Sequence, residues 1–193
     1  MSLFTAIDKP CFWTLLLAVP LAGAGAGAGT VSPAQDIRLP ASGVVPPELT
    51  GAWLNVPRGT ALTLQSRRGR VTIVHFWTFG CINCKRNLPY YAEWQRQFAK
   101  RGVEIIGVHT PETASERNVT NVVSKVKELG ITYPVLLDQS AQNWKRWGQR
   151  CWPTVYLIDK QGRVRIAWEG ELEYQGRGGF AKATQMIETL LKE

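Results

Sequence analysis

Two runs of seven residues, VTIVHFW (71–77) and VEIIGVH (103–109), consist mainly of β-branched, aliphatic and aromatic side chains. Such runs are typical of strands that are buried on both faces, and strands of that kind occur in parallel sheets covered by helices. The segments that follow them, 81–101 and 114–130, place apolar residues three and four positions apart, which is the spacing of an amphipathic helix. This alternation restricts the chain to an α/β domain built around a parallel pair of strands.

The rest of the chain predicts the elements that complete the sheet. We expect strands at 132–138, 154–159 and 163–170, a tight hairpin turn at Lys160-Gln161-Gly162, a short helix at 139–148 and a last helix at 179–191. A β-α-β-α-β order that ends in an antiparallel hairpin and a helix predicts a mixed central sheet covered on both faces. The expected fold is therefore a three-layer α/β/α sandwich.

The first thirty residues differ in composition from the rest of the chain. Lys9 precedes a dense apolar run at 11–19, and an Ala/Gly stretch with several Ala-x-Ala cleavage choices follows at 21–30. These are the parts of a secretory signal peptide. A retained membrane anchor is the alternative, although the dense run is shorter than the roughly 20 residues that a spanning helix needs. We expect export to the periplasm or another extracytoplasmic compartment, with this leader cleaved or kept as an anchor.

The remaining residues divide into a linker and one domain. Residues 31–50 are rich in Pro, Ser and small side chains, which predicts a flexible lead-in. Residues 51–193 are enough for a single domain, and an apolar content of 45% provides material for one packed core. We expect a leader at 1–30, a flexible linker at 31–50 and one domain at 51–193, which we expect to be a monomer.

The formal net charge of +8 does not predict a nucleic-acid partner. Lys and Arg are scattered along the chain, whereas nucleic-acid binding requires a basic stripe with stacking aromatic residues. Removal of the leader leaves the charge unchanged, because that segment contains Asp8 and Lys9. The charge instead favours acidic partners or an anionic membrane surface.

The cysteines indicate chemical rather than structural use. Of the four cysteines, Cys11 lies in the expected leader, which leaves Cys81, Cys84 and Cys151 in the exported protein. A secreted domain with one close pair and one further thiol does not match a framework of stabilising disulfides.

Cys81 and Cys84 are spaced for thiol chemistry at the start of a helix. If Cys81 opens the helix after Gly80, the two sulfur atoms lie one turn apart on the same side. The free N–H groups of the first turn and the positive end of the helix dipole would then stabilise a Cys81 thiolate, the attacking species. Lys85 and Arg86 are expected to add positive potential, and Cys84 is placed to resolve a mixed disulfide.

Two other interpretations of this pair are weaker. A zinc or iron–sulfur site normally needs a second pair of ligands at close spacing, and the sequence has none. A purely structural disulfide gains little stability from so short a loop. We therefore predict redox chemistry and no metal site.

The segment HFWTFGCINCKRNLP (75–89) resembles the active-site segment of thioredoxins. It combines an apolar strand, Phe-Trp, Cys-x-x-Cys and a proline five residues after the second cysteine. The chain is more similar to the exported TlpA/ResA-like thiol–disulfide oxidoreductases, and within them to DipZ-type thioredoxin-like domains, which carry FWT…CINC and GVHTPE (107–112). The similarity extends over about residues 51–170 and implies a thioredoxin-like fold.

The resemblance also implies several site residues. Pro89 would be the proline inside the active-site helix, and Trp77 would support the site from the strand before it. Within CWPTVYLID (151–159), Pro153 is expected to follow a cis peptide bond next to the Cys-x-x-Cys helix, with a trans proline at a strand edge as the alternative. The backbone of residue 152 would then face Cys81 and pair with an extended substrate, and Trp152 would form an apolar wall.

Three residues stay open at this stage. Cys151 is a small buried residue, a third redox thiol, or a site of oxidative regulation or metal capture. His75 occupies the strand position where thioredoxins usually carry a buried acid, so it either transfers a proton near the inner cysteine or is a hydrogen-bonded core residue. His109, at the end of the next strand, is expected to be structural rather than catalytic.

By resemblance, the protein is an exported thiol–disulfide oxidoreductase with Cys81 as nucleophile and Cys84 as resolving thiol. Reduction of disulfides in exported proteins is the favoured direction, with apocytochromes of cytochrome c maturation as candidate substrates and a thiol-reducing membrane protein as electron donor. No cofactor is expected, because the Cys81–Cys84 disulfide itself carries two electrons.

Three alternatives compete with this function. The first is a dithiol oxidase that donates disulfides. The second is a copper-handling module in which Cys81, Cys84 and His109 or His75 bind the metal. The third is a binding domain whose cysteines stay oxidised.

Overall fold

The computed structural model describes residues 42–57, 60 and 62–193. The leader predicted at 1–30 lies outside the described residues, as does the first part of the predicted linker. All described residues belong to one unit of the chain, Ile37–Glu193. Within the described ranges, no helix combines the length and the apolar character that a membrane span requires.

A mixed six-stranded sheet forms the centre of the described domain. Its strands are β1 (Ala52–Leu54), β2 (Val71–Trp77), β3 (Val103–His109), β4 (Val135–Leu137), β5 (Thr154–Ile158) and β6 (Val164–Glu169). Their order across the sheet is β1-β4-β3-β2-β5-β6. Strands β2, β3 and β4 are parallel, while β5 runs antiparallel to β2 and each edge strand runs antiparallel to its neighbour. The mixed sheet predicted from the sequence is confirmed.

The two central strands coincide with the apolar runs that predicted them, 71–77 and 103–109. Every residue of β2 is buried, because the strand has hydrogen-bonded neighbours on both sides and side chains packed on both faces. This double burial is the reason that its sequence shows a continuous apolar run instead of an alternating one.

Helices connect and cover the strands. In the described residues they are α1 (Ile82–Phe98), α2 (Ala114–Arg117), α3 (Val119–Glu128), α4 (Gln142–Arg146) and α5 (Gly179–Lys192). Short 3₁₀ turns occur at Gln65–Arg67, Ala99–Arg101 and Tyr174–Gly176. Helix α1 and the turn that follows it end at Gly102, whose φ of 91° is left-handed, as expected for a glycine that terminates a helix.

The helix predicted at 114–130 is divided into α2 and α3 at Asn118. The backbone of Asn118 is extended, with φ −77° and ψ 112°, and its side chain accepts hydrogen bonds from the N–H groups of Thr120 and Asn121. Asparagine is a strong N-cap residue, so it begins a new helix where the apolar spacing alone predicts a continuous one.

Residues 42–50 are the part of the predicted lead-in 31–50 that the structure describes. Gly43 and Val44 exchange backbone hydrogen bonds with Val164 of β6, and Leu49 is buried against the sheet. The short edge strand β1, which pairs with β4, was not predicted. The part of the lead-in that the structure describes therefore packs against the domain, because both edges of the sheet offer unpaired backbone groups.

The core has one cluster on each face of the sheet. One contains Val71, Ile73 and Trp77 of β2 together with side chains of α1 (Tyr91, Trp94, Phe98), α3 (Val122, Val126) and α5 (Ala183, Ile187, Leu190). The other contains Val74 and Phe76 of β2 with Leu49, Leu64 and Trp147, which follows α4. Alternate residues of β2 thus point to opposite faces, and the predicted α/β/α arrangement is confirmed.

Asn87 links the active-site helix to the chain that follows β6. Its side chain is fully buried. The amide oxygen accepts a hydrogen bond from the N–H of Leu172 at 2.9 Å, and the amide nitrogen donates to the carbonyl of Gly170 and to the hydroxyl of Tyr91, both at 3.3 Å. One polar side chain therefore satisfies buried groups on α1 and on the loop after β6.

We expect Asn87→Ala to lower the free energy of unfolding by about 2–4 kcal/mol, because it leaves the buried backbone groups of residues 170 and 172 without partners. Urea denaturation measures this change. Gln97→Ala is the matched control on the same helix, since Gln97 is exposed and should change stability by less than about 0.5 kcal/mol. Equal stability of Asn87→Ala and the control would show that the link contributes little.

Candidate active site

Cys81 is the N-cap residue of α1. Its backbone is extended, with φ −74° and ψ 115°, and its sulfur accepts a hydrogen bond from the N–H of Cys84 at 3.2 Å. An N-cap side chain normally offers an oxygen to the free N–H groups of the first turn, and here the sulfur occupies that position. The residue is half-buried, so part of it remains accessible while its sulfur contacts the helix end.

The environment of Cys81 favours its thiolate. The pKa of the Cys81 thiol lies below that of an ordinary cysteine, first because the Cys84 thiol hydrogen-bonds to it, and then because the N–H groups of Cys84 and Asn83 do so. Burial and the negative charge of Glu112 act in the opposite direction. Because the thiolate is the reactive form of cysteine, Cys81 is the sulfur suited to attack.

Cys84 has the opposite environment. It lies in the first turn of α1 and only 1% of it is exposed. Burial raises the pKa of the Cys84 thiol well above its ordinary value, and the hydrogen bond to Cys81 and the charges of Cys81 and Glu116 raise it further. The N–H of Thr78 lowers it by a smaller amount. Both cysteines are thiols in the structure, and they differ strongly in acidity.

Apart from the charge of Cys81 itself, the charges that act on the two sulfur atoms belong to carboxylates. Lys85 and Arg86, from which the sequence predicts positive potential, are both exposed, and Arg86 forms an ion pair with Glu171 at 3.0 Å. Glu112 acts on Cys81 and Glu116 acts on Cys84. Stabilisation of the Cys81 thiolate therefore comes from hydrogen bonds at the helix terminus.

Pro153 lies at the same edge of the sheet as the start of α1. Phe76 of β2 pairs with Thr154 of β5, so Pro153 is opposite Trp77, at the end of β2 that leads to Cys81. The Trp152–Pro153 peptide bond is cis. Pro153 is buried and Trp152 is half-buried, and Trp152 and Cys81 pack against the same core cluster.

Trp152 is held in place by a second tryptophan. Its ring lies 4.0 Å from that of Trp144, measured between centroids, with the planes tilted by 30°. Trp144 follows directly on Asn143 in α4, and its backbone N–H is bonded to the Asp138 carboxylate. Trp152, the expected apolar wall, is therefore supported by Trp144, which packs against the core cluster on the other face of the sheet.

The two supporting residues predicted on β2 are both deep in the core. Trp77 is 1% exposed and His75 is fully buried. The His75 ring stacks on Tyr91, with 4.1 Å between centroids, and its Nε2 lies 3.1 Å from the Tyr133 hydroxyl. Burial lowers the pKa of His75 to about 3, so the ring is neutral at physiological pH. Transfer of a proton by His75 stays a prediction.

His109 lies closer to the segment that precedes Cys81. Its ring stacks on Phe79 with 5.6 Å between centroids, and its Nε2 is 3.4 Å from the Thr78 hydroxyl. Burial lowers the pKa of His109 to about 4, although the charges of Glu116 and Asp138 oppose the shift. His109 therefore packs behind the segment that carries the nucleophile.

Glu116 is a residue of this site that sequence reasoning missed. It is 1% exposed, and its Oε1 accepts a hydrogen bond from the N–H of Gly80, the residue before Cys81, at 2.8 Å. Burial raises its pKa, but hydrogen bonds from Thr78, Thr113, Gly80 and Glu112 outweigh burial and lower the pKa below its ordinary value. The T-x-x-E spacing of residues 113–116 was the available signal, and it predicts only a helix cap.

Pro89 lies inside α1, as the resemblance predicts, and is exposed. It has no N–H for the usual bond to the carbonyl four residues earlier. Cys151 is half-buried, and its carbonyl accepts a hydrogen bond from the Thr154 hydroxyl at 3.0 Å. A third redox thiol at Cys151 stays a prediction.

The described side chains do not assemble a metal site. Among them, no three His, Cys, Asp or Glu groups are arranged to hold a metal ion. His75 is directed to Tyr133 and His109 to Thr78, both within the core. The copper-handling alternative needs one of these rings beside both cysteines, so the arrangement gives it no support.

Residues 45–167 match the model of the AhpC/TSA family. Over 130 residues the chain is 42% identical to protein DipZ of Mycobacterium tuberculosis, a match that spans 66% of this chain and 19% of DipZ. It is 33% identical over 102 residues to the thiol-disulfide oxidoreductase ResA of Geobacillus thermodenitrificans, spanning 53% of this chain and 56% of ResA. The chain thus corresponds to a fraction of the length of DipZ.

Solved structures give the same result for the fold. A thioredoxin-like superfamily protein with 25% identity superposes with a TM-score of 0.68, covering 79% of this chain and 98% of the other. The thioredoxin domain of a thiol-disulfide oxidoreductase from Bacteroides vulgatus, with 22% identity, superposes with a TM-score of 0.61 and covers 76% and 98%. The predicted resemblance is confirmed: the chain belongs to the AhpC/TSA family and has the thioredoxin-like fold.

Proposed function

We propose that this protein is an extracytoplasmic thiol–disulfide oxidoreductase that exchanges disulfides with exported proteins through Cys81 and Cys84. The observation that carries the proposal is the unequal environment of the two sulfurs, one at the N-terminus of α1 with a lowered pKa and one buried in its first turn with a raised pKa. Relatives that are named thiol-disulfide oxidoreductases support the same reaction. The signal-like segment at 1–30 supports the location.

The proposed reaction has two exchange steps. The Cys81 thiolate attacks one sulfur of a substrate disulfide, so that a bond from Cys81 to the substrate forms, the substrate S–S bond breaks, and the released sulfur takes a proton from water. Cys84 then gives up its proton to water and attacks the Cys81 sulfur, so that the Cys81–Cys84 bond forms, the Cys81–substrate bond breaks, and the second substrate sulfur leaves and takes a proton from water. The products are a Cys81–Cys84 disulfide and a substrate dithiol, so two electrons have passed to the substrate.

The acidity of Cys84 fits this order of events. Its pKa is raised partly by the hydrogen bond to Cys81 and by the charge of Cys81. Once Cys81 is joined to a substrate, its sulfur carries no charge, and this contribution to the raised pKa of Cys84 is removed. Cys84 thus becomes easier to ionise at the stage at which it has to attack.

The reaction as proposed needs no bound cofactor, because the dithiol carries both electrons. Each cycle leaves the protein oxidised, so a further dithiol must reduce it again. We propose a thiol-reducing membrane protein as this donor and exported proteins, including apocytochromes, as substrates. These partners rest on the resemblance to the TlpA/ResA-like proteins.

Reduction is the proposed direction because burial and negative charge offset part of the stabilisation that hydrogen bonds give to the Cys81 thiolate. A strong oxidase owes its strength to a stabilised reduced form, in which the thiolate is favoured. In this protein, burial and Glu112 counteract the lowering of the Cys81 pKa, and burial and Glu116 raise the pKa of Cys84. A dithiol oxidase is the alternative that a direct measurement has to exclude.

Trp152 and Pro153 are proposed to contact the substrate. Trp152 is half-buried at the edge where β5 begins, and Ile82, next to Cys81 in sequence, is 44% exposed. An extended substrate segment that places its disulfide on Cys81 would lie along this apolar border and pair with the backbone of residue 152.

Cys81→Ser is expected to abolish the reduction of insulin disulfides, because it removes the thiol whose environment favours the attacking thiolate. Cys84→Ser is expected to accumulate a mixed disulfide between Cys81 and the substrate, since the resolving thiol is lost. Dithiothreitol-driven insulin reduction and mass spectrometry of the non-reduced protein measure the two outcomes. Cys151→Ser should retain turnover, and its inactivity at unchanged stability would contradict a two-thiol scheme.

The reduction potential of the Cys81/Cys84 pair is expected to lie nearer to the about −270 mV of thioredoxin than to the about −120 mV of DsbA. Equilibration against a series of glutathione ratios measures it, with the fraction of oxidised protein determined after alkylation. A value close to that of DsbA would assign the protein to the oxidases.

Trp152→Ala is expected to raise the KM for insulin about tenfold, equivalent to about 1.4 kcal/mol, with a much smaller effect on kcat. The reason is that the side chain contacts the substrate segment and not the reacting sulfurs. Reduction of a small disulfide such as that of Ellman's reagent should be nearly unchanged. Trp168→Ala, which removes another half-buried tryptophan, is the control, and an equal rise in KM for both variants would contradict a substrate contact at Trp152.

A further inference from the structure

The Glu116 carboxylate connects two loops beside the dithiol. Its Oε1 accepts a hydrogen bond from the N–H of Gly80 at 2.8 Å. Its Oε2 accepts hydrogen bonds from the N–H groups of Glu112 at 2.9 Å and Thr113 at 2.7 Å. Because Gly80 directly precedes Cys81, one oxygen of Glu116 holds the backbone that leads into the nucleophile.

Helix capping accounts for only one of these two oxygens. Thr113 and Glu116 form a capping box at the start of α2, in which the Glu116 side chain bonds to the N–H of Thr113 and the Thr113 side chain bonds to the N–H of Glu116. The bond to Gly80 reaches a segment 36 residues away in sequence and contributes nothing to the cap. Glu116 therefore has a second structural role at the active site.

Gly80 and Glu116 fit each other closely. A Cβ at position 80 would lie 2.5 Å from Oε1 of Glu116, which is too short for a real contact. The carboxylate is bonded on its other side to the N–H groups of residues 112 and 113, so it cannot move away without losing them. The segment before Cys81 can approach the carboxylate only because residue 80 is glycine.

Thr78 belongs to the same segment and influences both Glu116 and the inner cysteine. Its side chain lowers the pKa of Glu116, and its backbone N–H lowers the pKa of Cys84. The residue is fully buried, and its carbonyl accepts a hydrogen bond from the N–H of Cys81 at 3.3 Å. The segment 78–80, which Glu116 holds at Gly80, is thus linked to both cysteines.

We propose that Glu116 is a positioning residue that reinforces the different roles of the two cysteines. Its carboxylate fixes the backbone in front of Cys81, and its negative charge adds to the burial that disfavours the thiolate of Cys84. The inference rests on the proposed function, because the two roles exist only in disulfide exchange.

Several titratable groups surround the inner thiol. On α1 they are Cys81 and Tyr91, on α2 it is Glu116, and from β2 His75 stacks on Tyr91. His75 is neutral because burial lowers its pKa to about 3, and burial raises the pKa of Tyr91 well above its ordinary value, so that its hydroxyl is also uncharged. Among the described groups named here, Glu116 therefore carries a charge that acts on Cys84 before Cys81 ionises.

Glu116→Gln tests the inference, because glutamine keeps an acceptor for the Gly80 N–H and removes the charge. We expect the titration of Cys84 to move to lower pH, since a nearby like charge disfavours the thiolate. NMR of isotope-labelled cysteine Cβ in the reduced full-length protein follows both thiols. An unchanged titration of Cys84 would overturn the proposal.

Two controls separate this effect from capping and from general electrostatics. Thr113→Ala breaks the other half of the capping box but keeps the Glu116 charge, so both titrations should stay in place. Glu112→Gln should lower the pH at which Cys81 titrates and leave the pH at which Cys84 titrates unchanged, because Glu112 acts on the outer sulfur. A shift of Cys84 in either control as large as in Glu116→Gln would also overturn the proposal.

Gly80→Ala tests the positioning independently of the charge and serves if Glu116→Gln does not fold. The added methyl group should displace the carboxylate and raise the titration of Cys81 towards that of an ordinary thiol. In a Glu116→Ala background the methyl group has room, so Gly80→Ala should change the titration of Cys81 less there than in the wild-type protein. Equal effects in both backgrounds would reject the positioning role.

None of these titrations needs a substrate, so a wild-type protein that titrates as expected but fails to reduce insulin would reject only the proposed function.

Discussion

Strand β2 pairs with β3 on one side and with β5 on the other, and all of its residues are buried. The parallel pairing with β3 requires a crossover, which α1 supplies, so α1 must begin at the edge where β2 ends. The antiparallel pairing with β5 brings Pro153 to that same edge. The meeting of Cys81 with the Trp152–Pro153 segment is thus a consequence of how one strand is paired.

At that edge, the ionisation of Cys81 depends on which atoms accept hydrogen bonds from the free N–H groups at the start of α1. Most N-caps offer an oxygen to the first-turn N–H groups, whereas here the sulfur of Cys81 accepts one of them. The same bond that completes the helix also favours the thiolate. Cys84 lies one turn further and is buried, and its surroundings raise its pKa. The difference between the two thiols therefore requires no nearby cation.

Behind the cysteines the site is aromatic and largely uncharged. His75 and His109 lie among Trp77, Phe79 and Tyr91, and burial lowers their pKa values to about 3 and about 4. Both rings are therefore neutral at the pH of most compartments. Such a surrounding lets the charge of a single carboxylate, Glu116, act over a longer distance than it would in water.

Much of this protein could be predicted from its sequence, because the relevant signals are local. Continuous apolar runs identified β2 and β3, since burial on both faces leaves no polar position in them. The Cys-x-x-Cys spacing and the Cys-Trp-Pro segment indicated where a thioredoxin-like site would lie. The break at Asn118 was missed because one capping side chain outweighs the apolar periodicity that continues across it.

Tertiary structure decided what depends on contacts between distant segments. Within the described residues 42–50, Gly43 and Val44 pair with β6 and Leu49 packs in the core, because the edge of the sheet has backbone groups to pair, and composition alone does not reveal such a surface. The second contact of Glu116 joins residues 36 positions apart. Sequence alone determined that this chain carries a dithiol on a thioredoxin-like fold. Only the folded chain decided which charges act on each sulfur, because Glu112 and Glu116 are distant from the cysteines in sequence and come near them only when the strands pair.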